Sequence, residues 1–294
     1  DYMAALASLL KISQTEVYEV ATFYHHFDII KEGDKVPPSL TVRVCDSVTC
    51  EINGANQLAV NLDDYFKGTV RIQKVTCIGR CQSAPVAVVK FNPIDNANLK
   101  NVKQAVDAKK YNPSIPEYID MKEYEAKGGY KLFNSVCNDK VKCEEVLTEL
   151  ENSNLRGLGG AGFPAGKKWR ILKDQPSPRL LAINIDEGEP GTFKDRYYLE
   201  TDPHRFFEGM LIASEVVGID KIYIYLRDEY AAVRSLMTSE LNKLRNKFQD
   251  KIPEIELRRG AGAYICGEES TMIETIEGKK GKLRLRKRLV EKAG

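Results

Sequence analysis

The sequence predicts an α/β chain of two domains. Stretches of alternating apolar and polar residues, the signature of strands, recur between helical segments along most of the 294 residues. A charged stretch near residues 109–130, bearing Pro113, Pro116, Gly128 and Gly129, divides them into a small N-terminal unit and a larger C-terminal one. Composition narrows the function classes. An apolar share of 43% and a formal charge of +2 are ordinary, so neither nucleic acid nor a membrane surface is implied as a partner. No run approaches the about 18 apolar residues of a membrane-spanning helix, and no secretory leader is evident. Seven cysteines, four of them in two close pairs, suit a reducing cytoplasm with metal or cluster chemistry better than a disulfide framework. The chain opens at Asp1 inside an apparent helix and stops at Gly294 after a basic run from Lys279 to Lys292, and so reads as a fragment.

The first unit, residues 1–110, begins with two helices. Ser13-Gln14-Thr15-Glu16 is a capping box that starts the second, with Val17, Val20, Ala21 and Phe23 as its apolar positions. A proline-bearing loop leads to a strand over Ser39–Val44. A helix over Gly54–Phe66, strands over Thr69–Val75 and Pro85–Phe91, and a helix over Leu99–Ala108 follow. Residues 111–130 read as a linker. In the second unit, residues 131–294, strands are expected at Arg179–Asn184 and Lys221–Leu226. Helices follow them at Pro203–Val217 and Tyr230–Lys247, an order that gives a parallel sheet covered by helices.

Cys45 and Cys50 form C-x4-C at the exit of the first strand, and Cys77 and Cys81 form C-x3-C at the exit of the second. Two thiolate pairs at strand ends can converge on one ion or cluster. Four-cysteine zinc sites also use two short-spaced pairs, and free cysteines are often simply buried. Spacing alone leaves zinc, iron–sulfur and plain burial open. Cys137 and Cys143 have no partner pair and read as structural.

Three further segments carry candidate ligand chemistry. Arg156–Trp169, RGLGGAGFPAGKKW, contains a formal G-x-G-x-x-G at Gly157, Gly159 and Gly162. It follows a helix, Cys143–Asn154, where a dinucleotide fingerprint should follow a strand. Walker A fails too, because Ala161 and Lys168 stand where that motif needs Gly and Ser or Thr. What remains is a backbone that a flat or phosphorylated ligand can approach, with Lys167 and Lys168 beside it. The second segment, Asn184–Arg196 (NIDEGEPGTFKDR), leaves a strand at the edge of the sheet where ligands bind. Its Asp186, Glu187 and Glu189 also fit a solvated acidic turn or a cation site. The third, Arg259–Glu269 (RGAGAYICGEE), is a glycine-rich turn with Tyr264, Cys266, Gly267, Glu268 and Glu269 before a helix over Thr271–Glu277. Two glycine loops and an acidic loop together make a concave site. His25, His26 and His204 lack ligand-spaced partners and read as surface or capping residues.

The motifs ATFYHHFD, VRVCDSVTCEINGA and VTCIGRCQSAPVAVV in residues 1–110 resemble the thioredoxin-like [2Fe–2S] ferredoxin of NADH dehydrogenase modules. That resemblance implies a [2Fe–2S] cluster on Cys45, Cys50, Cys77 and Cys81. Over about 117–284, the three ligand segments resemble the FMN- and NAD(H)-binding subunit of respiratory complex I and its relatives in NAD-linked hydrogenases and formate dehydrogenases. The implied fold is a thioredoxin-like ferredoxin domain followed by an atypical Rossmann-like α/β FMN-binding domain, incomplete at its C-terminus. The resemblance places Gly157, Gly159, Gly160, Lys168, Asn184, Asp186, Gly267, Glu268 and Glu269 around FMN, and Glu187 of the same acidic loop is expected to bind the cofactor with them. Phe163 and Glu189 would line the nicotinamide side, with Tyr264 and Cys266 near the isoalloxazine.

The implied activity is hydride transfer between NAD(H) and FMN, then single electrons to clusters, with no protein catalytic group. Leu158 and Ile183 depart from the family, which usually has Arg and often Cys there. A [4Fe–4S] cluster belongs to a C-terminal domain not found in this sequence. A four-cysteine ferredoxin domain fused ahead of the flavin domain fits best the β subunit of a cytoplasmic NAD-dependent formate dehydrogenase. Its partners would be a molybdenum or tungsten catalytic subunit and a small iron–sulfur subunit. The alternatives are the diaphorase subunit of a bidirectional NAD-linked NiFe hydrogenase, a complex I NADH-binding subunit, or a non-catalytic assembly fragment.

Overall fold

A computed structural model describes residues 2–284. Helices α1 (Tyr2–Leu10) and α2 (Gln14–Phe23) pack together, and the Ser13–Glu16 capping box forms as expected, the Ser13 hydroxyl accepting from the Glu16 amide. Then come β1 (Thr41–Cys45), α3 (Val48–Ile52), α4 (Ala55–Phe66), β2 (Arg71–Val75), β3 (Ala87–Val89), β4 (Asn92–Ile94) and α5 (Leu99–Asp107). The sheet order is β2-β1-β3-β4, with β1 parallel to β2 and antiparallel to β3. Val42, Val44, Leu58, Leu62, Val86 and Val102 form its core. Because β1 and β2 run parallel with Cys45 opposite Val75, both cysteine pairs leave the sheet at the same edge.

The second unit continues with α6 (Met121–Ala126), α7 (Lys131–Cys137), α8 (Cys143–Asn152), α9 (Ala165–Lys173), β5 (Leu180–Ile185), α10 (Lys194–Thr201) and α11 (Pro203–Val217). It ends with β6 (Lys221–Leu226), α12 (Ala231–Phe248), β7 (Glu254–Arg259) and α13 (Glu269–Ile276). Strands β5, β6 and β7 form a parallel sheet in that order, in line with the expected βα order. Side chains alternate across β6. Ile222, Ile224 and Leu226 enter the core with Phe207, Leu211, Leu236 and Met237, whereas Tyr225 clusters with Tyr24, Cys266 and Met272.

Two expectations need correction. The stretch read as a linker is folded: it carries α6, and Tyr118, Met121 and Tyr124 pack on the core of the second unit. His204, read as a surface or capping residue, is fully buried, with Nδ1 2.7 Å from Tyr130 Oη and Nε2 3.0 Å from Glu240 Oε2. Cys137 and Cys143 pack half-buried beside apolar clusters. Within the described residues no helix is long and apolar enough to cross a membrane. The basic run after Arg284 lies outside them.

Candidate functional site

Cys45 closes β1, Cys50 lies in α3, Cys77 follows β2, and Cys81 opens a short 3-10 turn. The first three are buried and all four are free thiols. Sγ of Cys77 is 3.5 Å from Sγ of Cys81, and Cys45 is hydrogen-bonded to both Cys50 and Cys77, so the four sulfurs form one continuous group. The shared proton with Cys50 pushes the Cys45 thiol up to about 11, while the same contact lowers Cys50. Each sulfur also accepts a backbone N–H: Cys45 from Ser47, Cys50 from Val86, Cys77 from Gly79 and Cys81 from Gly191. N–H···S bonds favour thiolate over thiol, as metal ligation requires. Four linked sulfurs with four amide donors supply the all-thiolate ligand set that an iron–sulfur centre takes.

The glycine loop folds on itself. Arg156 bridges Pro164, the Gly157 amide donates to the Phe163 carbonyl at 3.0 Å, and Arg156 Nη1 donates to the Gly162 carbonyl at 3.0 Å. Gly160 has φ +103°, where a side chain is strained. A Cβ at Gly159, Gly160 or Gly162 would meet no protein atom within 4 Å. The space above the loop is open. The loop runs into the N-terminus of α9, whose first turn bears exposed Lys167 and Lys168. Helix N-termini with nearby lysines suit a phosphate. Phe163 and Leu158 are exposed.

The other two segments do meet. Asn184 Nδ2 donates to the Gly267 carbonyl at 2.7 Å, and the Asp186 amide donates to Asn184 Oδ1 at 3.0 Å. A Cβ on Gly267 would lie 3.1 Å from the Asp186 carbonyl, so the close approach favours glycine. Tyr264 Oη donates to Glu189 Oε1 at 3.3 Å, both side chains being exposed. Asp186 Oδ2 is buried without a hydrogen-bond partner, and burial pushes its carboxyl up to about 7 against the pull of Arg227. An orphaned buried acceptor of this kind calls for a partner, and a ligand hydroxyl would supply one. With open space over the glycine loop, it fits a polyhydroxylated, phosphorylated ligand such as FMN.

Not every candidate faces open space. Glu187 is buried and accepts from Tyr230 Oη at 2.9 Å and from the amides of Asp195 and Arg196 at 3.1 and 3.3 Å. It holds the start of α10 and has little capacity left for a ligand. Glu268 caps α13, accepting from the Thr271 amide at 2.9 Å, and Glu269 starts that helix exposed. Cys266 is buried beside Tyr24 and Tyr225, and burial raises its thiol.

Several site-building residues escaped the sequence reading. Arg227 donates to the carbonyl of Glu187 and, at 2.5 Å, to the carbonyl of Cys77, and Arg196 donates to the Gly79 carbonyl at 2.9 Å. These arginines bind the cysteine loop to the acidic loop. Arg227 directly follows β6 at the C-terminal edge of the sheet, and that position is the available signal. A cavity of about 950 Å³ along α12 and β7, lined by Arg234, Arg245 and Arg259, contains none of the candidate residues.

Residues 1–110 match the thioredoxin-like [2Fe-2S] ferredoxin family, and residues 150–292 match the Nuo51 FMN-binding domain. An NADH-quinone oxidoreductase subunit of Aquifex aeolicus is 43% identical over 179 residues, covering 58% of this chain and 42% of that protein. The alpha subunit of the NAD-reducing hydrogenase HoxS of Cupriavidus necator is 32% identical over a 326-residue alignment, covering 96% of this chain and 53% of that protein. The crystal structure of an air-oxidised NAD+-reducing [NiFe]-hydrogenase superposes with TM-score 0.80 at 27% identity, over 97% of this chain and 53% of that one. This chain thus spans about half the length of such relatives. It is a fusion of a thioredoxin-like [2Fe–2S] ferredoxin domain and a Nuo51 FMN-binding domain.

Proposed function

We propose that the chain is the diaphorase module of an NAD-linked oxidoreductase. The observation that carries this reading is the buried, unpartnered Asp186 carboxyl next to the Asn184–Gly267 clasp. The chemistry that FMN supplies when bound is hydride exchange with NAD(H) and single-electron transfer to iron–sulfur centres. In this reading the open backbone at Gly157, Gly159 and Gly160 admits the ligand, and Lys168 with the α9 N-terminus takes its phosphate. Asp186 accepts a hydrogen bond from a ligand hydroxyl. Asn184 holds the acidic loop against Gly267, and the Tyr264–Glu189 pair, with Phe163, flanks the nucleotide side. Cys45, Cys50, Cys77 and Cys81 hold the [2Fe–2S] cluster. None of these side chains needs to act as nucleophile or general acid.

For the parent complex, we rank a NAD-reducing hydrogenase first, because a relative of that kind aligns with both domains together. A formate dehydrogenase β subunit is the second reading, supported by the complete four-cysteine set alone. Co-purification from the native host separates them. Hydrogen-dependent NAD+ reduction by the captured assembly supports the first, formate-dependent reduction supports the second, and neither activity in an intact assembly contradicts both.

A further inference from the structure

We propose that the flavin domain sets the reduction potential of the ferredoxin-domain cluster, through the Gly191 amide and the buried Arg227 guanidinium. The inference rests on reading the four cysteines as cluster ligands. Three of the sulfur-directed N–H groups, those of Ser47, Val86 and Gly79, belong to the ferredoxin domain itself. The fourth does not. Gly191 lies in the acidic loop of the flavin domain and donates to Cys81 Sγ at 3.1 Å.

Arg227 reinforces the arrangement at Cys77. Its guanidinium is buried, donates to the Cys77 carbonyl at 2.5 Å and to the Glu187 carbonyl, and pairs with Glu229 at 3.1 Å. Arg196, also buried, donates to the Gly79 carbonyl and pairs with Glu200 at 2.6 Å. Contact here is tight: a Cβ on Gly79 would fall 2.4 Å from Tyr230 Oη.

The physical consequence concerns charge. Reducing the centre would add one electron, with no bond made or broken, and so one negative charge to the group that the four cysteine sulfurs would hold. An N–H dipole on a ligand sulfur and a buried cation beside the ligand loop both stabilise that charge, and more strongly in a low-dielectric interior. Removing the cation also leaves the Glu229 carboxylate uncompensated. Both changes disfavour the reduced state.

The test is an EPR-monitored redox titration, with dithionite as reductant, of the cluster-containing chain and its Arg227→Gln and Arg227→Lys variants. At the wild-type midpoint, Arg227→Gln should lower the reduced-to-oxidised ratio at least tenfold, a midpoint drop of about 59 mV for a one-electron couple. Arg227→Lys, which restores charge without the two-carbonyl fork, should recover more than half of that drop. Variants that lose cluster or stability while the retained cluster keeps the wild-type midpoint would overturn the proposal. A second measurement uses the unmutated chain, in case Arg227→Gln does not fold. With glycine labelled in heavy nitrogen, pulsed EPR of the reduced cluster should resolve two coupled glycine amides, Gly79 and Gly191. Coupling to one alone would overturn the Gly191 half. A wild-type chain whose iron gives no cluster signal would overturn the cluster assignment itself, and is distinguishable from either failure.

Discussion

Asn184 reaches from the end of β5 to the carbonyl of Gly267, 83 residues later, and closes the acidic loop onto the turn before α13 with a 2.7 Å hydrogen bond. Both side-chain atoms are used, because Asn184 Oδ1 also accepts from the Asp186 amide. Replacing Asn184 with Ala removes both bonds while leaving the core untouched. The expected result is about 1 kcal/mol of lost stability and about tenfold weaker FMN binding, read by flavin fluorescence titration. An unchanged flavin affinity would show that the clasp does not organise the ligand site.

Gly159 separates packing from ligand access. A Cβ there meets nothing in the protein, so Gly159→Ala should change urea stability by no more than about 0.5 kcal/mol. FMN affinity should fall at least tenfold, because the space belongs to the ligand. Gly160→Ala differs: its φ of +103° adds about 1–2 kcal/mol of backbone strain. Equal effects of the two substitutions on folding, with no effect on flavin, would refute the assignment.

Asp186 makes the stability of the FMN-free chain depend on pH. Its folded carboxyl titrates near 7 against an ordinary value of 3.8 because burial disfavours the charge. A raised carboxyl favours the folded state while protonated. The contribution is full below about pH 4 and is lost as pH rises through about 7, by at most roughly 4 kcal/mol. Asp186→Asn should therefore raise the melting temperature of the FMN-free chain at pH 8 and change it little at pH 4. Parallel melting curves at both pH values would show that Asp186 titrates normally.

The buried polar network around His204 is structural. Burial lowers its imidazole, so at neutral pH an uncharged ring bridges Tyr130 and Glu240. Tyr118 Oη also donates to Glu240 at 2.7 Å, so segment 111–130 is fastened from two sides. His204→Ala should cost about 3 kcal/mol in chemical denaturation and leave FMN affinity of the folded fraction unchanged. A cost under about 1 kcal/mol would mean the network relaxes around the loss.

How far the sequence could be read follows from where each signal lies. Strands β1, β5 and β6 announce themselves through local apolar alternation, and the four cysteines through local spacing. Strand β7, EIELRR, gives no such signal, because only Ile255 and Leu257 break a charged run. The supposed linker misled for a related reason. Its prolines, glycines and charges are local, whereas the partners of Tyr118 and Tyr124, Glu240 and Glu208, lie 122 and 84 residues away. Glu187 shows the same limit at the site. As one acid among three it looked available, yet Tyr230, 43 residues on, and the start of α10 occupy it. The cross-domain bonds of Gly191 and Arg227 carry no local signal of the cysteines they reach.

These residues are expected to form a working flavin site for a nicotinamide nucleotide. Anaerobic addition of NADH to the FMN-supplemented chain, followed through the visible absorbance of the bound flavin, tests this. The expected result is bleaching at one flavin per chain, reversed by ferricyanide and strongly weakened in Gly159→Ala. A folded chain that retains no flavin, or whose bound flavin NADH leaves oxidised, would contradict the account.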